Sequence, residues 1–558
     1  MIKMKAKTKS NGRAIAVSAA LFLLGGAASA GCGDRPDTWS KAVETPTSSF
    51  GLQDAVAILD RPADRVVLLT AGGDQQLGRS EVPVGRNILS AAALPDGSKL
   101  LVVSAGYRAH LGDKEKDEAP SLTVIDRTGK GDPSVRMDLG TVLTDPLSGL
   151  ALDPAGRWAV LYAGNNQGQQ AFVENPNELV IVDLTRPVGA DNPTPHTLQS
   201  FGGRPVRLTF TPALNLPKGM QHLLIVESDQ DVSLLQLESP AVPEITVPLT
   251  GGNDTRRLQP AGVTVDEGDP ARNDDARVGI RVANDRTVIT LQLSPATGDN
   301  GFKPIVNLTD VGGVPSDIAF VRTDGGLRLA ALVPETRSAV LVDPVTSLTT
   351  QVALPAAYTR MSLVTGVVAG SAAAGAPTFD VGLLWNAVGV ATDNVAFWAL
   401  GQTAGQPYRS IETLPLGTTI SAVLDVPVPH QGLKVLQAAE SAFYVLDLRT
   451  RTAAPLITQS ANLAMLVSPK GDRVWTFTPN GTSIAATDLV TKHPKSLVID
   501  RPASAMHEIA TSDGGRALVV VHAQGSVGAT VFDAVTADDQ TRRLYAGLLT
   551  EGDYHDDL

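Results

Sequence analysis

The stretch AMLVSPKGDRVWTFTPNGTSIAATDLVT, residues 464–491, contains the pattern from which the fold of this chain can be inferred. An apolar segment enters a Ser-Pro-Lys-Gly turn at 468–471, and a second apolar segment follows it. A third segment ends in Asp488, with Thr491 three residues later. Proline presets φ at the second position of a turn, and an Asp side chain accepts backbone N–H groups of the turn that it begins. The pattern predicts three short antiparallel strands and a hairpin into a fourth.

This pattern recurs along the chain. Similar turns precede apolar segments at 94–97, 153–156, 323–326 and 512–515. Third strands that end in Asp recur at Asp126, Asp183, Asp343, Asp447 and Asp533, and less regular ones end near Gln236, Gln292 and Trp398. Equivalent positions in consecutive units are about 40–57 residues apart, which is typical of propeller blades.

The sequence therefore predicts an all-β fold, a β-propeller of four-stranded antiparallel blades with about 7–10 units. Nine equivalent third strands are visible, together with a shorter N-terminal unit at 55–84. One ring, closed by pairing the N-terminal unit with the last blade, is favoured over two rings. Insertions among the units remain an alternative.

The N-terminus predicts export. Residues 1–13 are basic, residues 14–28 are apolar, and small residues lead to Cys32, the only cysteine in the chain. An apolar segment of about 15 residues suits a signal peptide and is short for a membrane span. We predict a signal peptide at 1–31, an acylated Cys32 with a flexible tether at 32–50, and the propeller at 51–558.

Two resemblances add to this interpretation. Ser29-Ala30-Gly31-Cys32 resembles the lipobox of bacterial lipoproteins, although Ser29 replaces the usual Leu, and this implies acylation of Cys32 by chains such as palmitate. Gly33, where Asp would favour inner-membrane retention, implies an outer-membrane anchor facing the periplasm or the cell surface. Alternatively, ordinary signal peptidase cuts before Gly31 and the protein is secreted or periplasmic. The turns and the Asp-x-x-Thr hairpins resemble the YVTN-type, WD40-like propellers of exported bacterial proteins, which implies the fold and leaves the function open.

Composition limits the partners. The net charge is −12, and the predicted signal peptide carries five of the basic residues and no acidic one. The mature protein is therefore strongly acidic and repels phosphate backbones, so we expect no nucleic-acid partner. The expected partners are the membrane, through acylated Cys32, and other envelope proteins or cell-surface ligands.

The motif search predicts few chemical sites. Nucleophile elbows, Walker loops, dinucleotide-binding glycines and paired cysteines are all missing from the sequence, and we predict no cofactor and no catalytic residue. One acidic loop has oxygen ligands of the kind that Ca²⁺ prefers, which makes Asp266, Asp269, Asp274 and Asp275 weak metal candidates beside the alternative of a solvated turn. Two long polar loops, 107–120 and 164–177, occupy equivalent places in consecutive units. Their weak candidates for partner binding are Tyr107, His110, Asn165 and Asn166.

Three functions remain open. The favoured one is a membrane-anchored binding or scaffold module that is not an enzyme. The alternative is an exported enzyme that resembles lactonase-type propellers and acts at the central channel. A cofactor-carrying propeller, similar to those that hold haem d1, is a weaker third. A cluster of ionisable side chains in one channel pocket would favour an enzyme.

Overall fold

The structure is a computed structural model. It describes residues 48–107, 116–129, 134–139, 147–164, 175–187, 189, 191–199, 204–249, 258–269, 271, 274–323, 326–364, 381–387, 394–400, 410–430, 432–438, 442–457, 464–479, 481–522 and 527–549. Within these ranges the chain is all β, apart from short 3-10 turns at Arg61–Ala63, Pro334–Thr336 and Asp539–Thr541. None of the described helices is long and apolar enough to cross a bilayer. Cys32 and the predicted signal peptide lie outside the described residues.

Ten four-stranded antiparallel sheets follow one another along the chain. Blade 1 consists of β1 (Ser49–Gly51), β2 (Val56–Asp60), β3 (Arg65–Ala71) and β4 (Leu77–Pro83), and blade 2 of β5 (Ile88–Ala93), β6 (Lys99–Ser104), β7 (Ser121–Asp126) and β8 (Ser134–Asp138). Blade 3 consists of β9 (Gly149–Leu152), β10 (Trp158–Tyr162), β11 (Glu178–Asp183) and β12 (Thr194–Thr197), and blade 4 of β13 (Arg207–Phe210), β16 (Leu223–Glu227), β17 (Asp231–Gln236) and β18 (Ile245–Pro248). Blade 5 consists of β19 (Pro260–Asp266), β20 (Arg277–Val282), β21 (Thr287–Pro295) and β22 (Phe302–Asp310). A small hairpin, β14 (Leu214–Leu216) and β15 (Gly219–Gln221), is inserted into blade 4.

The second half of the chain repeats the arrangement without such an insertion in its described part. Blade 6 consists of β23 (Asp317–Thr323), β24 (Gly326–Val333), β25 (Ser338–Val342) and β26 (Thr349–Ala353), and blade 7 of β27 (Arg360–Val364), β28 (Val381–Trp385), β29 (Asn394–Ala399) and β30 (Ile411–Pro415). Blade 8 consists of β31 (Ile420–Asp425), β32 (Leu433–Ala438), β33 (Ala442–Asp447) and β34 (Thr452–Ile457), and blade 9 of β35 (Ala464–Val467), β36 (Arg473–Phe477), β37 (Ser483–Asp488) and β38 (Pro494–Val498). Blade 10 consists of β39 (Ala503–Ala510), β40 (Arg516–His522), β41 (Ala529–Asp533) and β42 (Arg543–Tyr545).

The blades form one closed ring. Each of ten hydrophobic clusters joins two consecutive blades, and one of them joins blade 10 to blade 1 through residues such as Leu548, Val519 and Val67. Every sheet is therefore covered on both faces, which explains why β2, β16 and β25 are buried along their whole length. The prediction of a single ring is confirmed, and the described residues form ten blades.

The N-terminal unit and the last blade are neighbours in the closed ring, as predicted. Blades 1 and 10 are both complete sheets, and they meet by packing face to face. Hydrogen bonds reinforce the contact, since Arg65 donates to the Leu549 carbonyl at 2.6 Å and Ala510 N donates to the Gln53 carbonyl at 2.8 Å. The first strand, β1, also covers residues 49 and 50, which the sequence analysis assigns to the tether.

The first strand of each blade lies nearest the ring axis, because first strands of neighbouring blades contact one another, as β1 contacts both β39 and β5. Four of these inner strands carry a register shift of the kind made by a β-bulge, at 88/90, 260/262, 420/422 and 503/505. A bulge redirects side chains and leaves a backbone group outside the ladder. The inner wall of the ring is therefore irregular at these points.

The two faces of the ring carry different connections. The turn face has the turns between first and second strands and the hairpins between third and fourth strands. The loop face has the loops between second and third strands and the links between blades. On the turn face the predicted hairpins form as expected, because Asp488 Oδ1 accepts the backbone N–H groups of Val490 at 2.9 Å and Thr491 at 2.7 Å. The same bonds form at Asp343, Asp447 and Asp533.

Candidate functional site

A cavity of about 700 Å³ opens at the turn face, near the ring axis. It lies across blades 8, 9, 10, 1 and 2, because it is lined by their inner strands and by the turns that follow those strands. Its apolar lining includes Pro95, Pro427, Leu466, Val467, Pro469 and Ile509. Its polar lining comes from Gln53, Asp96, Lys470, His507, Glu508 and Arg516. The cavity has the size and the mixed lining of a small-molecule site.

His507 and Ser49 meet at this cavity from the two ends of the chain. A hydrogen bond of 2.9 Å joins Ser49 Oγ on β1 to His507 Nε2 on β39, across the closure between blades 1 and 10. Gly51 allows the imidazole of His507 to lie close to the backbone of β1, since a Cβ at that position would be 3.0 Å from His507 Nδ1. Burial lowers the pKa of His507 to about 4, so the imidazole is neutral at neutral pH.

Glu508, the next residue, points into the boundary between blades 9 and 10. Its Oε1 accepts hydrogen bonds from Ser468 Oγ at 2.9 Å and from Arg516 at 2.8 Å, while its Oε2 accepts one from Trp475 Nε1 at 2.8 Å. The side chain is 2% exposed. A buried carboxyl group needs hydrogen-bond donors in place of water, and here three side chains supply them.

Arg516 links this carboxylate to a second one. Its guanidinium bonds both oxygens of Asp472, at 3.0 Å and 2.6 Å, in the fork geometry that suits a carboxylate. The hydrogen bond from Arg516, helped by a smaller contribution from Ser468, lowers the pKa of Asp472 to about 2 against the opposing effect of burial. Arg516, Glu508 and Asp472 thus form a charged network that fixes blade 10 on blade 9.

These arrangements limit what the cavity can do chemically. A general base works best with a pKa near the operating pH, and His507 titrates far below neutral pH. The structure describes no acidic partner for His507 Nδ1, so Ser49 and His507 lack the third group that orients a catalytic histidine. Glu508 is occupied by three donors. Among the described lining residues, neither His507 nor Glu508 is therefore arranged as a general base.

Tyr107, a predicted partner-binding residue, lies at the base of its loop on the loop face. Its backbone pairs with Glu118 in both directions at 2.8 Å, and Arg86 lies over its ring at 5.2 Å from the centroid. The loop leaves the same face as the 164–177 loop of the neighbouring blade, because both join the second strand of a blade to the third. His110, Asn165 and Asn166 lie outside the described residues.

The four carboxylates proposed as metal ligands have separate roles. Asp266 is buried between Arg277 and Arg322, and burial raises its pKa although both arginines oppose this. Asp275 accepts hydrogen bonds from Gln292 at 2.8 Å and Ser294 at 2.9 Å. Asp269 and Asp274 pair through their backbones. Among the described residues, the structure contains no group of three or more metal-ligating side chains.

Sequence reasoning missed the pairing of His507 with Ser49. His522 and His196 likewise have side-chain partners that no sequence motif indicates. In the structure His522 is 3% exposed and bonds Thr530 at 2.8 Å, and His196 bonds Glu244 at 2.8 Å. The position of His507 in the middle of an apolar inner strand was a signal in the sequence that this histidine is buried. No local pattern, however, reveals its partner on blade 1.

No family model and no curated protein matches the chain. Among solved structures, it is similar to the dihydro-haem d1 dehydrogenase NirN at 12% identity, over 77% of this chain and 78% of that one, with a TM-score of 0.37. Apo AztD from Citrobacter koseri matches at 10% identity, over 69% and 93%, with a TM-score of 0.31. Dipeptidyl peptidase 4 from Porphyromonas gingivalis matches at 10% identity, over 88% and 67%, with a TM-score of 0.39. Similarities this weak carry no argument about function.

Proposed function

We propose that this protein is a membrane-anchored binding module of the bacterial cell envelope, not an enzyme, and that the cavity on its turn face holds an uncharged, largely apolar group of its ligand. One observation carries the proposal. The cavity combines an apolar lining with ionisable groups that are already satisfied inside the protein, namely Glu508 with its three donors and a neutral His507. An uncharged ligand group loses little on entering beside the apolar lining and Glu508, because the hydrogen bonds of this carboxylate are already made within the protein.

A ring of ten blades suits this role physically. Five blades contribute to the cavity, and their relative positions are fixed by the clusters between blades and by the network around Arg516. A site held this rigidly loses little conformational entropy when a ligand binds. The anchor at Cys32 would hold the ring at the outer membrane, where three acyl chains are enough for stable retention.

The binding proposal is tested with an uncharged apolar dye, Nile red, titrated into the full chain. We expect saturable fluorescence enhancement that is weakened by Ala510→Trp, because Ala510 is exposed and lines the cavity, so an indole there takes up part of its volume. The matched control is Ala155→Trp, at an exposed position in the corresponding turn of blade 3, away from the cavity. Equal binding in the wild type and in Ala510→Trp would refute the proposal.

The anchor is tested separately by fractionating cells that express the wild type or Cys32→Ser. We expect the wild type in the membrane fraction and the variant in the released fraction, because the acyl chains would be lost with the thiol. Retention of the variant in membranes would contradict the anchor and leave the binding proposal unaffected.

A further inference from the structure

A second cluster of charged side chains lies at the loop face, on the opposite side of the ring axis from the cavity. Arg207 and Arg360 are the first residues of inner strands β13 and β27, and Arg281 lies near the end of β20. Strands β13, β20 and β27 belong to blades 4, 5 and 7. The ends of these strands lie at the loop face, so three guanidinium groups gather at one rim of the ring.

The β-bulge of β19 brings two of these groups together. Its extra residue, Ala261, turns its carbonyl out of the ladder, and this oxygen accepts hydrogen bonds from both Arg207, at 3.1 Å, and Arg281, at 2.6 Å. The two cationic groups therefore lie side by side on one acceptor. Like charges this close repel unless an anion lies between them or beside them.

Gly262 leaves the space above these two groups open. A Cβ at Gly262 would lie 3.6 Å from Arg281 Nε and 4.0 Å from Arg207 Nη1, so it would be in ordinary contact with both. A larger side chain would occupy the space that the two guanidinium groups border. The glycine thus keeps a cradle open between them.

The acidic groups nearby do not fully balance the arginines. Glu227 is 2% exposed, and its Oε2 lies 3.7 Å from Arg207 Nη1, but its Oε1 has no hydrogen-bond partner among the described residues. The carboxyl oxygens of Asp317 accept hydrogen bonds from the backbone N–H groups of Ile318, at 3.0 Å, and Met361, at 2.9 Å. Burial raises the pKa of both carboxyl groups, which favours their neutral forms against the opposing effect of the arginines.

The arginines also act on one another. Burial lowers the pKa of Arg281, and the charges of Arg360 and Arg207 lower it further while Asp317 opposes them. Arg207 and Arg360 are exposed to solvent, so their donors are within reach of a ligand. Three arginines here face two carboxyl groups, so the cluster carries excess positive charge on a protein that is acidic as a whole.

We propose that Arg207 and Arg281, which border Gly262, form together with Arg360 a binding site for an oxyanion group, a carboxylate or a phosphate, on a ligand that enters at the loop face. Guanidinium groups match both anions through paired N–H donors. This site is separate from the cavity of the turn face and does not depend on the function proposed for that cavity.

The test is calorimetric titration of the full chain with inorganic phosphate and, in a second arm, with succinate, at low ionic strength. We expect saturable binding of at least one anion, weakened roughly tenfold or more by Arg207→Gln and by Arg360→Gln, because each removes a charged donor. Gly262→Val should weaken binding as much, although it keeps every charge. Binding of phosphate alone or of succinate alone would identify the class of anion.

The matched control is Arg286→Gln, which removes an exposed arginine of blade 5, the blade of Arg281. Arg286 pairs with Asp310. We expect its affinity for the anion to equal that of the wild type, and circular dichroism should show that all variants are folded. The proposal is overturned if neither anion binds saturably, or if Arg286→Gln weakens binding as much as the cluster variants do. Ala510→Trp should leave anion binding unchanged, which separates this result from the test of the cavity.

Discussion

Glu508 accepts a hydrogen bond of 2.8 Å from Trp475 Nε1, and this bond crosses from blade 10 to blade 9. Trp475 is fully buried, and Arg516 and Ser468 bind the other oxygen of the same carboxylate. One acidic side chain thus satisfies buried donors from both blades. Its removal would leave several of them without an acceptor at once.

We expect Glu508→Ala to lower the free energy of unfolding by about 2–4 kcal/mol, because Trp475 and Arg516 would lose their buried acceptor. Urea denaturation followed by circular dichroism measures the change. The control is Glu412→Ala, which removes a 58% exposed side chain paired with Arg451, and we expect a loss below about 1 kcal/mol there. Equal losses in the two variants would contradict the role assigned to Glu508.

We expect the stability of the wild type to depend on pH through His507. Its pKa is lowered to about 4 from 6.5, so between these values the unfolded chain binds a proton that the folded chain does not. Stability therefore falls as the pH falls from 6.5 to 4, by roughly 3 kcal/mol relative to His507→Gln, and the difference levels off below pH 4. Denaturation of both proteins across this range measures it, and a difference independent of pH would count against the burial of His507.

We expect Leu548→Ala to weaken ring closure. Leu548 is fully buried in the cluster that joins blade 10 to blade 1, and truncating a buried leucine costs about 2–5 kcal/mol. Thermal denaturation compares it with Leu348→Ala, which truncates a side chain that is 72% exposed and should change little. If the melting temperatures of both variants equal that of the wild type, Leu548 does not hold the ring closed.

We expect Gly471→Ala to be more destabilising than Gly514→Ala. Both glycines have positive φ, 66° and 87°, so alanine is strained at either position. A Cβ at Gly471 would also lie only 2.4 Å from the Pro427 carbonyl oxygen of blade 8, whereas nothing lies within 4 Å at Gly514. The unfolding midpoints of the two variants measure the difference, and the reverse order would show that the turns of blades 8 and 9 are not in close contact.

The local features of the fold were predictable from sequence because they depend on short-range physics. The turn at 468–471 follows from the proline and glycine that it requires, and the hairpin at Asp488 from a side chain that accepts neighbouring N–H groups. The candidate sites were not predictable in this way. The bulge at Ala261 and the approach of Arg207 to Arg281 involve different blades, and no local pattern encodes their meeting.

The sequence alone determined that this chain repeats a four-stranded β unit, since strand alternation and turn chemistry are written within each unit of about fifty residues. Only the tertiary structure decided that ten such units close into one ring and which side chains meet when they do. Ser49 and His507 are separated by 458 residues and become neighbours because blade 10 packs on blade 1. Such contacts arise from burying the last open sheet faces against each other, a requirement of the whole ring that no single unit contains.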